Sequence, residues 1–179
     1  MAEKKAIYII TGVMAAGKST IAQLLAERLD KSVHVRGDLF RRMIVSGRED
    51  MSSEPSPEAL GQLQLRYRLA ATVAEEYYEA GFNVVLQDVI IGPVLNDMLL
   101  YLNHRPLYLV VLDPNAEAVA ARDAARHKTG YGGITVSALQ QVLQADTPRI
   151  GLWIDSSGHT PDETVDEILR RVHAEGEIR

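Results

Sequence analysis

Ala6-Ile7-Tyr8-Ile9-Ile10-Thr11-Gly12-Val13-Met14-Ala15-Ala16-Gly17-Lys18-Ser19-Thr20 decides how this chain is read. Ala6–Thr11 is a short apolar run rich in strand formers. Ser19–Leu29 then places Ile21, Leu24, Leu25 and Leu29 at helical spacing. Between them, Gly12 to Ser19 satisfies G-x-x-x-x-G-K-S/T. A chance match arises in roughly 1 in 200 chains of this size at average residue frequencies. The strand before it and the amphipathic helix after it are what a phosphate-binding turn requires. Glycines let several backbone N–H groups face one anion. The helix start adds partial positive charge. Gly12, Val13, Met14, Ala15, Ala16 and Gly17 therefore form the expected cradle for ATP. Lys18 is expected to reach the β- and γ-phosphates, and the Ser19 hydroxyl to hold Mg²⁺. Thr20 is expected to contribute its backbone or hydroxyl to the phosphates.

Working outward, the same alternation repeats. Strands are expected at Ser32–Arg36, Asn83–Leu86, Leu107–Leu112 and Leu152–Asp155. Helices are expected at Leu39–Val45, from about Pro57 to Ala80, at Gly92–Leu102, after Asp113-Pro114, and at Thr135–Ala145. Asp113 reads as a cap there, with Pro114 in the first turn. Thr160-Pro161-Asp162-Glu163 is a capping box opening a last helix, whose final turn is expected to carry Arg170 and Arg171. Apolar strands separated by helices imply a parallel sheet covered on both faces, with ligands at the carboxyl ends of the strands. The expected fold is a three-layer α/β arrangement around a five-stranded parallel sheet. Residues 1–179 are expected to form one domain, with Met51–Pro57 too short to divide it.

Composition narrows the function classes. The chain has 179 residues, 46% apolar and 24% charged, with a net charge of -5 and no cysteine. Disulfides, thiolate metal sites and cysteine nucleophiles are thereby excluded. The negative balance argues against a general affinity for nucleic acid or anionic membrane, while leaving room for a local basic patch. Lys4, Lys5 and the apolar stretch to Ala16 loosely imitate a secretory leader, but a strand and phosphate loop explain them better. No apolar run approaches the ~20 residues of a membrane helix. A cytoplasmic setting and no membrane partner are the expectation.

The second strand ends in Val35-Arg36-Gly37-Asp38, followed by Leu39-Phe40-Arg41-Arg42. A carboxylate at a strand's carboxyl end projects into the ligand crevice and can accept a hydroxyl proton. Asp38 is the candidate base, with a helix N-cap as the alternative or additional role. Arg41 and Arg42 are candidate acceptor-binding residues. Val84–Asp88 is an apolar strand ending in an acid. Asp88 could bind magnesium, touch the acceptor, or cap the following turn. Arg122, Arg126 and Lys128 precede Gly130, Gly132 and Gly133. They suggest a lid at about residues 122–134 that closes cations over the phosphates, with Arg122 on the nucleotide and Arg126 at the transferring group.

Gly37-Asp38-x-x-Arg41 after the second strand resembles the acceptor loop of small P-loop kinases, among them adenylylsulfate and gluconate kinases. Three further features make the wider pattern similar to chloramphenicol phosphotransferase-like proteins. They are Gln87-Asp88-Val89-Ile90-Ile91-Gly92, the arginine-rich segment after the fourth strand, and Asp155-Ser156-Ser157 leading to Pro161 and Glu163. This resemblance implies a P-loop nucleoside triphosphate hydrolase fold and an ATP- and magnesium-dependent transfer to a hydroxyl of a small molecule. It also implies Asp38 as the acceptor's base or positioner, and Asp155–Thr160 as the loop beside adenine. A polynucleotide 5′-kinase shares nearly all these motifs, although the acidic charge disfavours it. A GTPase lacks its Asn-Lys-x-Asp here. A non-catalytic nucleotide-binding module would not need Lys18, Ser19 and Asp38 together. The acceptor stays open: arginines near Asp38 suit an anion, while Phe40, Met43, Ile44 and Val45 suit an apolar molecule.

Overall fold

The computed structural model describes residues 5–125 and 134–179. Five parallel strands form one sheet: β1 (Ile7–Gly12), β2 (Ser32–Arg36), β3 (Asn83–Gln87), β4 (Leu107–Leu112) and β5 (Leu152–Ile154), in the order β2-β3-β1-β4-β5. β1 and β4, adjacent in the middle of the sheet, are buried along their whole length. Their unbroken apolar runs follow from cover on both faces, which removes the need for a polar alternation. Helices α1 (Lys18–Arg28) and α7 (Pro161–Glu175) pack together on the sheet. Arg28 ties them through Asp162 and Asp166. Both ion pairs are largely solvent-exposed, so packing of Ile21, Leu25, Val165 and Ile168 carries most of the attachment.

α2 (Asp38–Arg42) and α3 (Pro57–Glu79) form the crossover from β2 to β3. α3 begins as its sequence demands: the Ser56 side chain accepts from the Ala59 N–H, and Pro57 occupies the first turn. Ala70, Ala71 and Ala74 are buried between Tyr67 and Tyr78, so small side chains bring this long helix close to β3 and β2. α4 (Val94–Leu100), α5 (Ala116–Ala124) and α6 (Val136–Asp146) complete the chain.

The expected elements are present with shifted ends. The second-loop helix stops at Arg42 instead of reaching Val45, which is 99% exposed and has nothing to pack on. The helix after β4 is capped by Asn115, which accepts from the Ala118 N–H. Asp113 instead accepts from Gln144 on α6. α7 has the expected capping box at Thr160 and Glu163 but continues to Glu175. His173 is therefore in its last turn, and Arg171 lies within the helix, between Glu167 and Glu175. Among the described residues no helix is long and apolar enough to cross a membrane.

Candidate active site

The carboxyl ends of β1, β2 and β3 open on one cleft of about 950 Å³. Met14 to Ile21 form one wall; Arg36, Asp38, Arg41 and Arg42 face it from β2 and α2. Gln87 and Asp88 lie between, as the order β2-β3-β1 requires. Arg122, Ser156, His159 and Thr164 line the remaining side.

The turn after β1 has the backbone expected of an anion cradle. Gly12, Ala15 and Gly17 have φ of 149°, 63° and 91°. Alternation into the left-handed region turns successive N–H groups inward. Gly12 is also needed sterically, because a Cβ there would stand 2.6 Å from the Leu112 carbonyl oxygen on β4. Gly12 and Val13 are buried beneath the loop, and Met14 to Thr20 face the cleft. α1 has no side-chain cap at its start, so its first N–H groups remain available to an anion. Lys18 is buried, and its Nζ donates to the Val13 carbonyl oxygen at 2.6 Å.

The Ser19 hydroxyl is exposed to the cleft and donates to Gln87 Oε1 at 3.3 Å. Gln87 was not singled out from sequence. Behind it, His34 shares a hydrogen bond with Gln23 Oε1 at 3.0 Å. Burial first, and then the Arg36 charge, push the His34 imidazole down to about 4, against a smaller opposing contribution from Gln87. The ring is neutral at physiological pH. Ser19, Gln23, His34 and Gln87 thus make a neutral polar layer between α1 and the sheet. Serine hydroxyl and amide oxygen are hard donors of the kind Mg²⁺ accepts alongside phosphate and water.

Asp88 has a different partner. Both of its carboxylate oxygens accept from Arg66 of α3, one of them from Nε at 2.7 Å, and Oδ1 also accepts from the Val89 N–H at 2.8 Å. Asp88 and Arg66 are 1% and 5% exposed, so the pair is desolvated and mutually dependent. Tyr67 donates to the Val89 carbonyl at 2.8 Å and Thr11 to that of Ile90 at 2.9 Å, fixing the segment after β3. Gly37 is required here by proximity, since a Cβ would overlap the Asp88 carboxylate. Its φ is an ordinary -60°.

Asp38 is half-buried. It opens α2 one residue after the cap position, Gly37, and so is not itself the cap residue. Its carboxylate accepts instead from Arg41 Nε at 3.3 Å and Arg42 Nε at 2.8 Å. Burial alone would raise its pKa, but Arg66, Arg41 and Arg42 outweigh that and hold it below the usual carboxylate range. Arg41 also reaches Asp50. Arg122 of α5 donates to the Ser156 carbonyl at 2.8 Å, joining α5 to the loop after β5. Arg126, Lys128 and the glycines of the expected lid lie outside the described residues.

A family model described as AAA domain matches residues 7–147, which include the phosphate loop, Asp38 and Asp88. The chain belongs to the AAA domain family. No curated protein matches this AAA-domain chain in sequence. Solved structures resemble it over nearly its whole length. A sugar kinase from Janibacter sp. HTCC2649 is 17% identical, with 94% of each chain covered and a TM-score of 0.67. The tunicamycin resistance protein of Deinococcus radiodurans is 16% identical, covering 98% of this chain and 99% of its own, with a TM-score of 0.65. The Mycobacterium tuberculosis APS kinase in complex with AMPPNP and APS is 16% identical, covering 93% and 96%, with a TM-score of 0.62. The likeness shows the fold, a three-layer α/β arrangement around a five-stranded parallel sheet.

Proposed function

We propose that this protein transfers the γ-phosphoryl group of ATP to a hydroxyl of a small molecule. The supporting observation is the presence, across one cleft, of the Lys18–Ser19 phosphate loop and the Asp38 carboxylate, which Arg41 and Arg42 hold in place. A module that only bound nucleotide would have no need of Asp38 opposite the phosphates.

In this reading the backbone N–H groups of residues 13–19 and the start of α1 hold the β- and γ-phosphates. Lys18 leaves the Val13 carbonyl and follows the charge that builds on the transferring group. Ser19 and Gln87 would hold Mg²⁺, which when bound would neutralise charge on the phosphates. Asp88, engaged by Arg66, acts on the acceptor side and not as a direct metal ligand. Asp38 orients the acceptor hydroxyl. Its depressed pKa makes it a weak base in the ground state. A loose transition state releases the hydroxyl proton late, when the oxygen has become acidic, so a weak base suffices. Arg41 and Arg42 keep Asp38 charged and aimed, and Arg122, with Arg126, would supply further positive charge to the phosphates. ATP and Mg²⁺ are the cosubstrate and ion required, and a cytoplasmic setting suits both.

The test is acceptor-dependent ADP release across sugars, sugar acids, nucleosides, antibiotics and 5′-hydroxyl oligonucleotides. A phosphorylated product should appear with a small molecule. Lys18→Ala should lower turnover by at least ~10²-fold, the scale of a single electrostatic donor. Undiminished turnover in Lys18→Ala would sink the assignment, and phosphorylation of oligonucleotides alone would move it to nucleic-acid repair.

A further inference from the structure

A second cavity of about 280 Å³ lies beside the cleft, between α2, the segment after it, and α3. Its surface is mostly apolar, with Phe40, Met43, Ile44, Leu63, Leu65 and Leu69, while Glu49 and Gln62 also border it. Arg41 lines both this cavity and the cleft, and it also holds Asp38. Arg66 lines the cavity from α3, while its partner Asp88 lines the cleft. The two spaces therefore share Arg41, which holds Asp38, and meet again at the Arg66–Asp88 pair.

We propose that this cavity is the subsite for an apolar portion of the phosphoryl acceptor, an aryl or branched alkyl group joined to the hydroxyl that meets Asp38. The proposal rests on the transferase reading above and specifies its substrate class. Three observations favour it over an anionic acceptor. First, four arginines near Asp38 already face carboxylates: Arg41 and Arg42 on Asp38, Arg41 and Arg48 on Asp50, and Arg66 on Asp88, which leaves Arg36 aside. A second anion would have to compete with these acids. Second, the volume is just below the usual range for a whole ligand, which suits one part of a molecule whose remainder lies in the cleft. Third, the mouth is open: Met43 is 72% exposed, and Leu65 and Leu69 are each 41% exposed, although all three are large and apolar. Side chains of this kind left facing water around a cavity mark a place where apolar surface is covered in use. Continuity with the cleft through Arg41 makes the acceptor the natural cover.

Two measurements decide it. The neutral fluorophore N-phenyl-1-naphthylamine is titrated into the wild type, Leu65→Glu and Leu69→Glu. Both leucines are partly exposed and outside the catalytic machinery, so the variants should fold and bind Mg·ATP as the wild type does. In parallel, kcat/KM is measured for 1,2-diols of rising alkyl length and for their phenyl counterparts. The expected result is saturable binding of the probe, weakened at least ~10-fold by each glutamate. With it should come a gain of roughly four-fold in kcat/KM for each methylene that enters the cavity, removed by the same substitutions. Equal probe affinity in all three proteins would overturn the subsite. So would a flat diol series beside efficient turnover of unsubstituted sugar acids. If the glutamates instead split a wild-type dimer in light scattering, the cavity belongs to an interface between copies and the proposal fails. Failure of the wild type to bind Mg·ATP, with probe binding intact, would sink the transferase reading and leave only an apolar site.

Discussion

Replacing Arg66 by methionine should be the most damaging single change near the cleft that touches neither nucleotide nor acceptor hydroxyl. Arg66 and Asp88 are 5% and 1% exposed, and both Asp88 oxygens accept from the guanidinium. Methionine keeps much of the side-chain bulk but leaves a carboxylate out of water, still bonded to the Val89 N–H yet without its guanidinium. Orphaning one member of such a pair costs about 3–5 kcal/mol. For a chain of this length that is a fall in melting temperature of roughly 6–20 °C. The assay is urea unfolding of the wild type, Arg66→Met, Asp88→Leu and the double variant, followed by fluorescence of Trp153. Removing both charges leaves an apolar pair, which is commonly neutral or better. The double variant should therefore recover most of the stability lost in either single one. Transfer should not recover with it, because Arg66 also helps to hold Asp38 in its charged form. A cost below ~1 kcal/mol for Arg66→Met, or additive losses in the double variant, would refute the reasoning.

Two further outcomes follow from the same region. Gly37→Ala puts a methyl group into the Asp88 carboxylate, so it should cost about 1–3 kcal/mol and lower transfer more than ATP affinity. Unfolding curves and nucleotide titrations check it, and an unperturbed variant would mean that the loop yields freely. His34 gives a pH signature in metal-free buffer. Its folded-state pKa is about 4 against 6.5 when unfolded, so the unfolded chain binds the extra proton first. Stability should fall as pH drops from about 6.5 and level off below about 4, by about 1–2 kcal/mol once screening of a half-buried ring is allowed for. His34→Gln should remove that part of the slope between pH 7 and 5; an unchanged slope would place its origin elsewhere.

The central strand, the phosphate loop and the first helix were legible because three local signals coincide in Ala6–Leu29: an apolar run, fixed glycine spacing and a helical repeat. Asp38 was legible as a strand-end acid, but its place one residue inside the helix was not, since Gly37 and Asp38 are both acceptable cap residues. Arg66 escaped because its partner is 22 residues away and a lone arginine on a long helix ordinarily faces water. A signal did exist: Arg66, Ala70 and Ala74 recur every four residues, which puts a charge on the stripe that Tyr67 and Ala71 also bury. Gln87 escaped because attention at a strand end goes to the acid, here Asp88. Alternation along β3 then sends the two side chains to different partners, Ser19 for Gln87 and Arg66 for Asp88. The helix after β4 was set one cap too early because Asp113 and Asn115 are both good caps, and only the pairing of Asp113 with Gln144 removes the first.

Asp38→Asn tests the central claim most directly. The asparagine is isosteric, and Asp38 lies after the cap position, so the fold should lose little beyond the partly exposed Arg41 and Arg42 ion pairs. With one protein preparation, Mg·ATP affinity, melting temperature and acceptor-dependent ADP release are measured together. The expected result is ATP affinity within a few-fold of wild type and transfer lower by roughly 10²–10⁴-fold, toward the small end if proton removal is late. Collapse of ATP affinity together with transfer would instead make Asp38 part of the nucleotide or metal site, and transfer at the wild-type rate would remove it from the chemistry.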